Sequence, residues 1–229
     1  MKLTLEQLTQ YIDHTLLKPY ASQNEIIEFC KEAKELKVKM VAINSYYTKL
    51  CKELLKDTNI HVGAAISFPL GQTTIATKVF ETNEAIKNGA DEIDYVLNIA
   101  RVKDGDYEYI KDEMETIVKI CRKAGVISKV IFENCYLTKA EIKNCALIAK
   151  EVQPDYIKTS TGFGTGGALI EDIQIMQSAV ASKCKVKAAG GIRDLQTFKK
   201  FIELGVERIG TSSTMSIIRE FKQNKGGKF

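Results

Sequence analysis

GADEID (residues 89–94), GVISKV (125–130) and GVERIG (205–210) share one pattern: a glycine, a short turn and the start of an apolar run. The glycine stands where a helix needs a left-handed residue after its last turn, so each segment predicts a helix end followed by a strand. Such transitions, repeated along a chain, are typical of strand-helix units on a parallel sheet. Eight units of this kind predict a (β/α)8 TIM barrel of the α/β class.

The strands of that barrel are predicted from short apolar runs separated by longer amphipathic segments. They are expected at residues 12–14, 40–44, 61–67, 92–97, 129–133, 155–159, 185–188 and 208–210. Two helix starts carry a capping box, one joining Ser22 to Glu25 and one joining Thr138 to Glu141. These starts and stops divide the chain into regular units.

Length and composition predict one domain over residues 1–229, because α/β barrels often occupy this length undivided and no Ser/Gly-rich linker is present. The basic segment 222–229 is expected to fray. The net charge of +4 is spread along helical faces, which argues against a nucleic-acid partner and leaves small anions as plausible ligands.

Cysteine and histidine usage argues against structural zinc and disulfides, since the six cysteines form no CxxC pair and only two histidines are present. The N-terminal MKLTLEQ lacks an apolar signal region, and no run approaches transmembrane length. We therefore expect a cytoplasmic protein with no metal, no cofactor and no membrane partner.

Two lysines end consecutive predicted strands, Lys158 in DYIKTSTG (155–162) and Lys187 in VKAAGG (186–191). A lysine is a nucleophile only when neutral, whereas its ordinary pKa of about 10.4 keeps it charged at pH 7. A neighbouring ammonium and burial both lower that pKa. The pair therefore predicts a Schiff-base amine, and the alternative is two solvated strand ends.

The other predicted strands also end in polar residues, at the face where barrel enzymes hold their active sites. These residues are Asp13, His14, Asn44, Ser67, Asp94, Asn98, Glu133 and Asn134. Asp94 is expected to share a layer with Lys158, with Lys187 one layer away, so the three heads can converge. The alternative is a buried ion pair with a spare lysine.

Charged residues stand at the opposite ends of three strands as well, namely Glu92, Lys129 and Lys185. Because catalysis belongs to the other face, we interpret these three as a structural, partly solvated cluster at the barrel floor.

The loops after the last two strands, GGIRD (190–194) and GTSS (210–213), have the features of a phosphate site. Glycines let the backbone approach an anion, and the following helix N-termini supply free amides. The expected ligands are Gly190, Gly191, Gly210, Ser212 and Ser213. The alternative is ordinary turn chemistry, with Arg193 as an ion-pair partner.

Five blocks, IDHTLLKP (12–19), SFPLG (67–71), EID (92–94), KTSTG (158–162) and GGIR (190–193), resemble in order and spacing those of the deoxyribose-phosphate aldolases. The resemblance covers nearly the whole chain. It implies Lys158 as the Schiff-base lysine, Lys187 as the lysine that perturbs it and Asp94 as a proton-relay carboxylate. It also implies that Asp13 supports the second lysine and that Gly162 joins the phosphate-binding residues.

The reaction implied by this resemblance is reversible cleavage of 2-deoxy-D-ribose 5-phosphate to acetaldehyde and D-glyceraldehyde 3-phosphate, without metal or cofactor. Its partners are small sugar phosphates and aldehydes, and a homo-oligomer is compatible with it. Two other functions stay open: an isomerase or different lyase that uses the lysines electrostatically, and a phosphate-binding protein without catalysis.

Three positions depart from the family pattern. Phe163 stands where some members have a lysine, so phosphate affinity is expected to rest on amides, hydroxyls and Arg193. The second-strand block VAINS (41–45), which contains Ala42, stands where many relatives have Cys and Pro, and Asn134 replaces a threonine that is common after the fifth-strand Glu. These changes are expected to alter the pocket wall rather than the lysines. We interpret the two histidines, His14 and His61, as structural.

Overall fold

Eight parallel strands close into a barrel in the computed structural model, which describes residues 3–224. The strands are β1 (Ile12–Leu16), β2 (Met40–Asn44), β3 (His61–Ile66), β4 (Glu92–Val96), β5 (Ile127–Ile131), β6 (Tyr156–Lys158), β7 (Lys185–Ala189) and β8 (Arg208–Thr211). Each strand pairs with the next, and β8 returns to pair with β1 through Asp13 and Gly210. The predicted (β/α)8 barrel is confirmed.

Helices surround the barrel. They are α1 (Leu5–Thr9), α2 (Gln23–Leu36), α3 (Thr48–Leu55), α4 (Ile75–Lys87), α5 (Ile99–Lys103), α6 (Tyr107–Ala124), α7 (Lys139–Val152), α8 (Ile170–Val180), α9 (Leu195–Glu203) and α10 (Thr214–Gln223). Across residues 3–224, no helix has the length and apolarity needed to cross a membrane. Because α10 runs to Gln223, the expected basic tail begins inside a helix, and its residues 225–229 lie outside the described residues.

The predicted helix ends are confirmed by the backbone. Capping boxes start α2 at Ser22 and α7 at Thr138, and Gly125 ends α6 with a φ of 69°. Gly89 and Gly205 follow α4 and α9 with φ values of 95° and 84°. A left-handed residue redirects the chain toward the sheet, so each strand starts at a defined position.

Strand β5 is the prediction that shifted most, because it runs from Ile127 to Ile131 rather than from Lys129 to Glu133. The amide of Ile127 already donates to the carbonyl of Asp91, which starts the ladder early. Glu133 has a φ of 49°, which cannot continue a strand. Lys129 therefore lies in the middle of β5 and not at its beginning.

Alternation along each strand separates an apolar layer from a charged interior. On β4, Ile93 and Tyr95 belong to the apolar core between sheet and helices, whereas Glu92 and Asp94 form ion pairs with other strands. The barrel interior thus holds the charges, and the core outside it supplies the hydrophobic stabilisation.

Candidate active site

Asp94 is the meeting point of the predicted catalytic residues. Its Oδ2 accepts hydrogen bonds from Lys158 Nζ at 2.9 Å and from Lys187 Nζ at 2.7 Å. All three side chains are buried, and Asp94 lies on β4, Lys158 on β6 and Lys187 on β7. The structure therefore brings together the three side chains that the sequence placed at one end of the barrel.

Asp13 lies on the other side of Lys187, as the family resemblance implied. Its Oδ2 contacts Lys187 Nζ, and its Oδ1 accepts a hydrogen bond from Arg208 Nε at 2.6 Å. Lys187 is thus held between two carboxylates. This pairing fixes its ammonium beside Lys158.

The charges below this layer differ from the expectation of a partly solvated floor. Glu92 and Lys129 are fully buried, and Lys129 contacts both Glu92 Oε2 and Asp94 Oδ1, the latter at 2.5 Å. Lys185 does not join them, because it is exposed at the start of β7 and pairs with Glu207 at 3.3 Å. The floor cluster is therefore continuous with the site above it.

Sequence reasoning missed the contact between Lys129 and Asp94. The two residues are register partners between β4 and β5, so their side chains lie side by side. The strand pattern contained the information needed to predict this contact. Because β5 was predicted to begin at Lys129, that residue was assigned to the barrel floor. Correct placement of Ile127 as the first strand residue would have raised Lys129 toward Asp94.

Electrostatics separate the roles of the lysines. The pKa of Lys158 is lowered to about 8, chiefly by burial, with Lys187 and Lys129 acting in the same direction and Asp94 opposing them. Burial also works against the charged form of Asp94, but the three lysine ammoniums hold the pKa of that carboxyl well below its usual range. Lys158 is thus a lysine prepared to be neutral near physiological pH.

An aromatic wall covers one side of Lys158. The Phe68 ring centroid lies 5.6 Å from Lys158 Nζ, and the ring of Phe163 stands edge-on to Phe68 at 6.0 Å. Phe163 is about half exposed, at 49 %. Phe163 therefore presents an apolar edge to the entrance.

A cavity of about 330 Å³ opens above Lys158. Its lining includes Gly162, Gly190, Gly191, Gly210 and Ser212 of the expected phosphate residues, together with Arg193, Lys18 and Tyr20. Ser213 is not among the lining residues, and its amide donates to Thr211 Oγ1 at 2.9 Å, so that amide is already used. Lys18 and Tyr20 were not predicted as site residues.

Two loops that form the rim are locked together through their backbones. The amide of Ala168, in the β6–α8 loop, donates to the carbonyl of Gly190, in the β7–α9 loop, at 3.1 Å. A Cβ on Gly167 would overlap that carbonyl, and one on Gly190 would lie 3.0 Å from the Cα of Gly167. Glycine is required at both positions by this close approach.

Glu133 holds the start of the β6–α8 loop. It is buried, and it accepts hydrogen bonds from the amide of Thr161 at 3.1 Å and from the Thr161 hydroxyl. Burial raises the pKa of Glu133, against the lowering effect of the Thr161 bonds. Its left-handed backbone directs the carboxylate toward this loop.

Neither histidine lines the cavity. The His14 ring stacks on Phe29 with centroids 4.1 Å apart, its Nδ1 lies 2.8 Å from Thr214 Oγ1, and burial lowers its pKa to about 4. His61 Nδ1 lies 2.6 Å from Glu92 Oε1 at the floor. These positions agree with the structural role that the sequence predicted for both histidines.

Comparison with known proteins places this geometry in a family. The family model described as DeoC/LacD family aldolase matches residues 7–219. A deoxyribose-phosphate aldolase of Lactobacillus acidophilus is 54 % identical, over 97 % of this chain and 94 % of that protein. The solved aldolase QR15 is 39 % identical with a TM-score of 0.89, over 95 % of this chain and 97 % of that chain.

A second solved structure extends the likeness to the archaea. It is the tetrameric deoxyribose phosphate aldolase from Aeropyrum pernix, 28 % identical with a TM-score of 0.89, over 96 % of this chain and 94 % of that chain. Family model, sequence relatives and solved structures agree over nearly the full length. The chain therefore belongs to the DeoC/LacD aldolase family.

Proposed function

We propose that this protein is a class I deoxyribose-phosphate aldolase, which reversibly cleaves 2-deoxy-D-ribose 5-phosphate into acetaldehyde and D-glyceraldehyde 3-phosphate. The observation that carries the proposal is Lys158, a buried amine with a pKa lowered to about 8 at the base of an open cavity. The names of the relatives point to the same substrate.

Lys158 is the proposed nucleophile. In cleavage, its neutral amine adds to the C1 aldehyde, and loss of water gives a protonated imine. Removal of the C3 hydroxyl proton breaks the C2–C3 bond, and that electron pair passes into the imine to leave an enamine. Protonation at C2 and hydrolysis then release acetaldehyde and restore the amine.

Lys187 and Asp94 are the proposed proton relay. Asp94 Oδ2 accepts from both lysines, so it connects the ammonium of Lys187 to the nitrogen that becomes the imine. An ammonium next to the reacting nitrogen both depresses the Lys158 pKa and supplies a proton for the water that leaves. Asp13 keeps Lys187 in place.

Phosphate is proposed to bind at the cavity rim, on the free amides of the glycine loops and the hydroxyl of Ser212. Gly162, Gly190 and Gly191 have φ values of 94°, 86° and 76°, which turn successive backbone groups along the rim. Arg193 and Lys18 add positive charge there, and none of the described residues that line this cavity carries a carboxylate. Anchoring the phosphate orients the reacting carbonyl above Lys158.

The test is to trap the enzyme with acetaldehyde and borohydride and to map the modified peptide. We expect a two-carbon adduct on Lys158, and Lys158→Ala should lose both the adduct and the release of acetaldehyde. An adduct chiefly on Lys187 would overturn the assignment of the nucleophile. Turnover without any trapped adduct would favour the isomerase or the metal-dependent class of chemistry.

Assembly and compartment are part of the same proposal. The Aeropyrum pernix enzyme is tetrameric, and we extend a homo-oligomeric state to this chain. The six cysteine thiols are free, which fits a reducing cytoplasm. Light scattering on the purified protein measures the assembly directly, and a monomer at micromolar concentration would contradict it.

A further inference from the structure

A second layer of charges lies directly below Asp94. Glu92, Lys129 and Arg208 are buried, with at most 3 % of each exposed. Arg208 Nη2 donates to both carboxylate oxygens of Glu92, at 3.2 and 3.1 Å, and Lys129 contacts Oε2 of the same carboxylate. These three residues, which we call the floor layer, form a buried ion cluster.

The floor layer contacts the layer above it at two points. Lys129 donates to Asp94 Oδ1 at 2.5 Å, while Lys158 and Lys187 occupy Oδ2 of the same carboxylate. Arg208 bridges Glu92 and Asp13, and Asp13 in turn contacts Lys187. A charge added or removed in the floor layer therefore acts on Lys158 through a chain of direct contacts between buried side chains.

The balance of charges in the two layers determines whether a proton on Lys158 is favoured. Three carboxylates (Asp13, Glu92, Asp94) face three cations other than Lys158 (Lys129, Lys187, Arg208). With all six ionised, the cluster is neutral only when Lys158 carries no charge. A buried cluster strongly penalises an unmatched charge, and Lys158 is the group that can avoid it by losing its proton.

We propose that Glu92, Lys129 and Arg208 are positioning residues whose matched charges favour loss of the proton from the Lys158 ammonium, so that the closed end of the barrel takes part in preparing the nucleophile. The inference rests on the proposed function, because it concerns the amine that forms the imine. It assigns a task to the floor layer that structural stabilisation alone does not require.

Several other groups face the cluster and are left unchanged by the test. They are His61 and Tyr156 near Glu92, Met40 near Lys129, and Glu133 and Phe68 near Lys158. Glu133 is engaged by Thr161 and makes no ion pair with the cluster. Since these groups are common to every variant, they do not alter the direction of the expected shifts.

The experiment measures the pH dependence of imine formation on Lys158 by acetaldehyde trapping, in Glu92→Gln, Lys129→Met and the double variant. Glu92→Gln leaves a surplus positive charge, so the midpoint should fall by roughly one pH unit. Lys129→Met leaves a surplus negative charge, so it should rise by about as much. The double variant removes a matched pair and should return the midpoint to that of the parent enzyme.

Glu207→Gln is the matched control, since it removes a carboxylate from an exposed pair beside the same barrel end and should move nothing. A midpoint unchanged in folded Glu92→Gln would overturn the inference, even where Lys129→Met fails to fold. A double variant whose midpoint stays displaced as far as that of either single variant would overturn it too, because its charges balance. No adduct on Lys158 in the parent enzyme would instead refute the proposed function.

Discussion

At the scale of the residue, reactivity depends on which of three adjoining lysines gives up its proton. Burial disfavours charge on Lys158, but on Lys129 the contacts with Asp94 and Glu92 overcome burial and raise the pKa. With a pKa of about 8, roughly one Lys158 in ten is neutral at pH 7, against one in a few thousand for an ordinary lysine. The surroundings thus raise the fraction of reactive amine roughly a few hundredfold.

Lys187→Leu should raise the pKa of Lys158, because it removes a buried positive charge beside it. We expect aldol cleavage at pH 7 to fall at least tenfold, with partial recovery toward pH 9 to 10 as the amine deprotonates. The measurement is a pH profile of kcat. Lys185→Leu, which alters an exposed lysine of the same strand, serves as control, and an equal loss at every pH would contradict the electrostatic role.

Lys158→Met should make the folded protein more stable at pH 7 while abolishing turnover. The folded pKa of about 8 lies below the ordinary value of 10.5 for a lysine, so between these two values the unfolded chain binds more protons than the folded one. The penalty is complete below pH 8 and is lost as pH rises toward 10.5. Urea unfolding should give a gain of roughly 1–3 kcal/mol at pH 7 that shrinks by pH 10. A loss of stability at pH 7 would refute this.

At the scale of the element, the positions of the strands could be predicted from the sequence, whereas the contacts between loops could not. Apolar runs and glycine stops located all eight strands, because each unit must bury one face and reverse direction. The contacts of Glu133 with Thr161, and of Ala168 with Gly190, join residues from different loops, so no local pattern announces them. The bond from the Ser213 amide to Thr211 Oγ1 is different, because it is a local contact two residues back in the same loop, and the assignment of Ser213 to the phosphate site overlooked it.

Glu133→Gln tests whether that carboxylate holds the β6–α8 loop in its binding shape. Gln keeps the size but replaces the carboxylate that accepts from Thr161, and hydrogen bonds to charged groups contribute about 1.5–3 kcal/mol. We expect KM for 2-deoxyribose 5-phosphate to rise roughly tenfold, with a smaller change in kcat. A fall in kcat at constant KM would instead place Glu133 in the chemistry.

Ser212→Asp tests the rim of the cavity. A carboxylate there repels a phosphate, so cleavage of 2-deoxyribose 5-phosphate should suffer far more than cleavage of unphosphorylated 2-deoxyribose. Comparison of kcat/KM for the two sugars gives the answer, with Ser212→Ala as the uncharged control. Equal losses on both sugars would mean that the substitution damaged the fold and not the anion site.

At the scale of the whole molecule, the barrel separates two electrostatic environments. The ion clusters inside it are buried, whereas Lys18 and Arg193 at the rim are exposed. Dissolved salt screens exposed charges over a Debye length of about 8 Å at physiological ionic strength and hardly reaches buried ones. A change in ionic strength should therefore affect the exposed charges at the rim and leave the buried clusters nearly unaffected.

Raising the ionic strength from 0.05 to about 0.5 M should increase KM for the phosphorylated sugar several-fold, while the midpoint of the kcat pH profile stays in place. Steady-state kinetics at three or more salt concentrations measures both quantities. Unphosphorylated 2-deoxyribose is the internal control, since its KM should change little. A midpoint that moves with salt would show that solvent ions reach the lysines.

The interlocked glycines at the rim restrict how this enzyme could be re-engineered. Since Gly167 and Gly190 touch through their backbones, the β6–α8 and β7–α9 loops behave as a single mutational unit. A library that varies either glycine would consist mostly of variants in which the two loops no longer pack against each other. Variation belongs instead at Phe163 and Tyr20, which line the cavity and whose exposed side chains can change the size and polarity of its entrance while the backbone stays as it is.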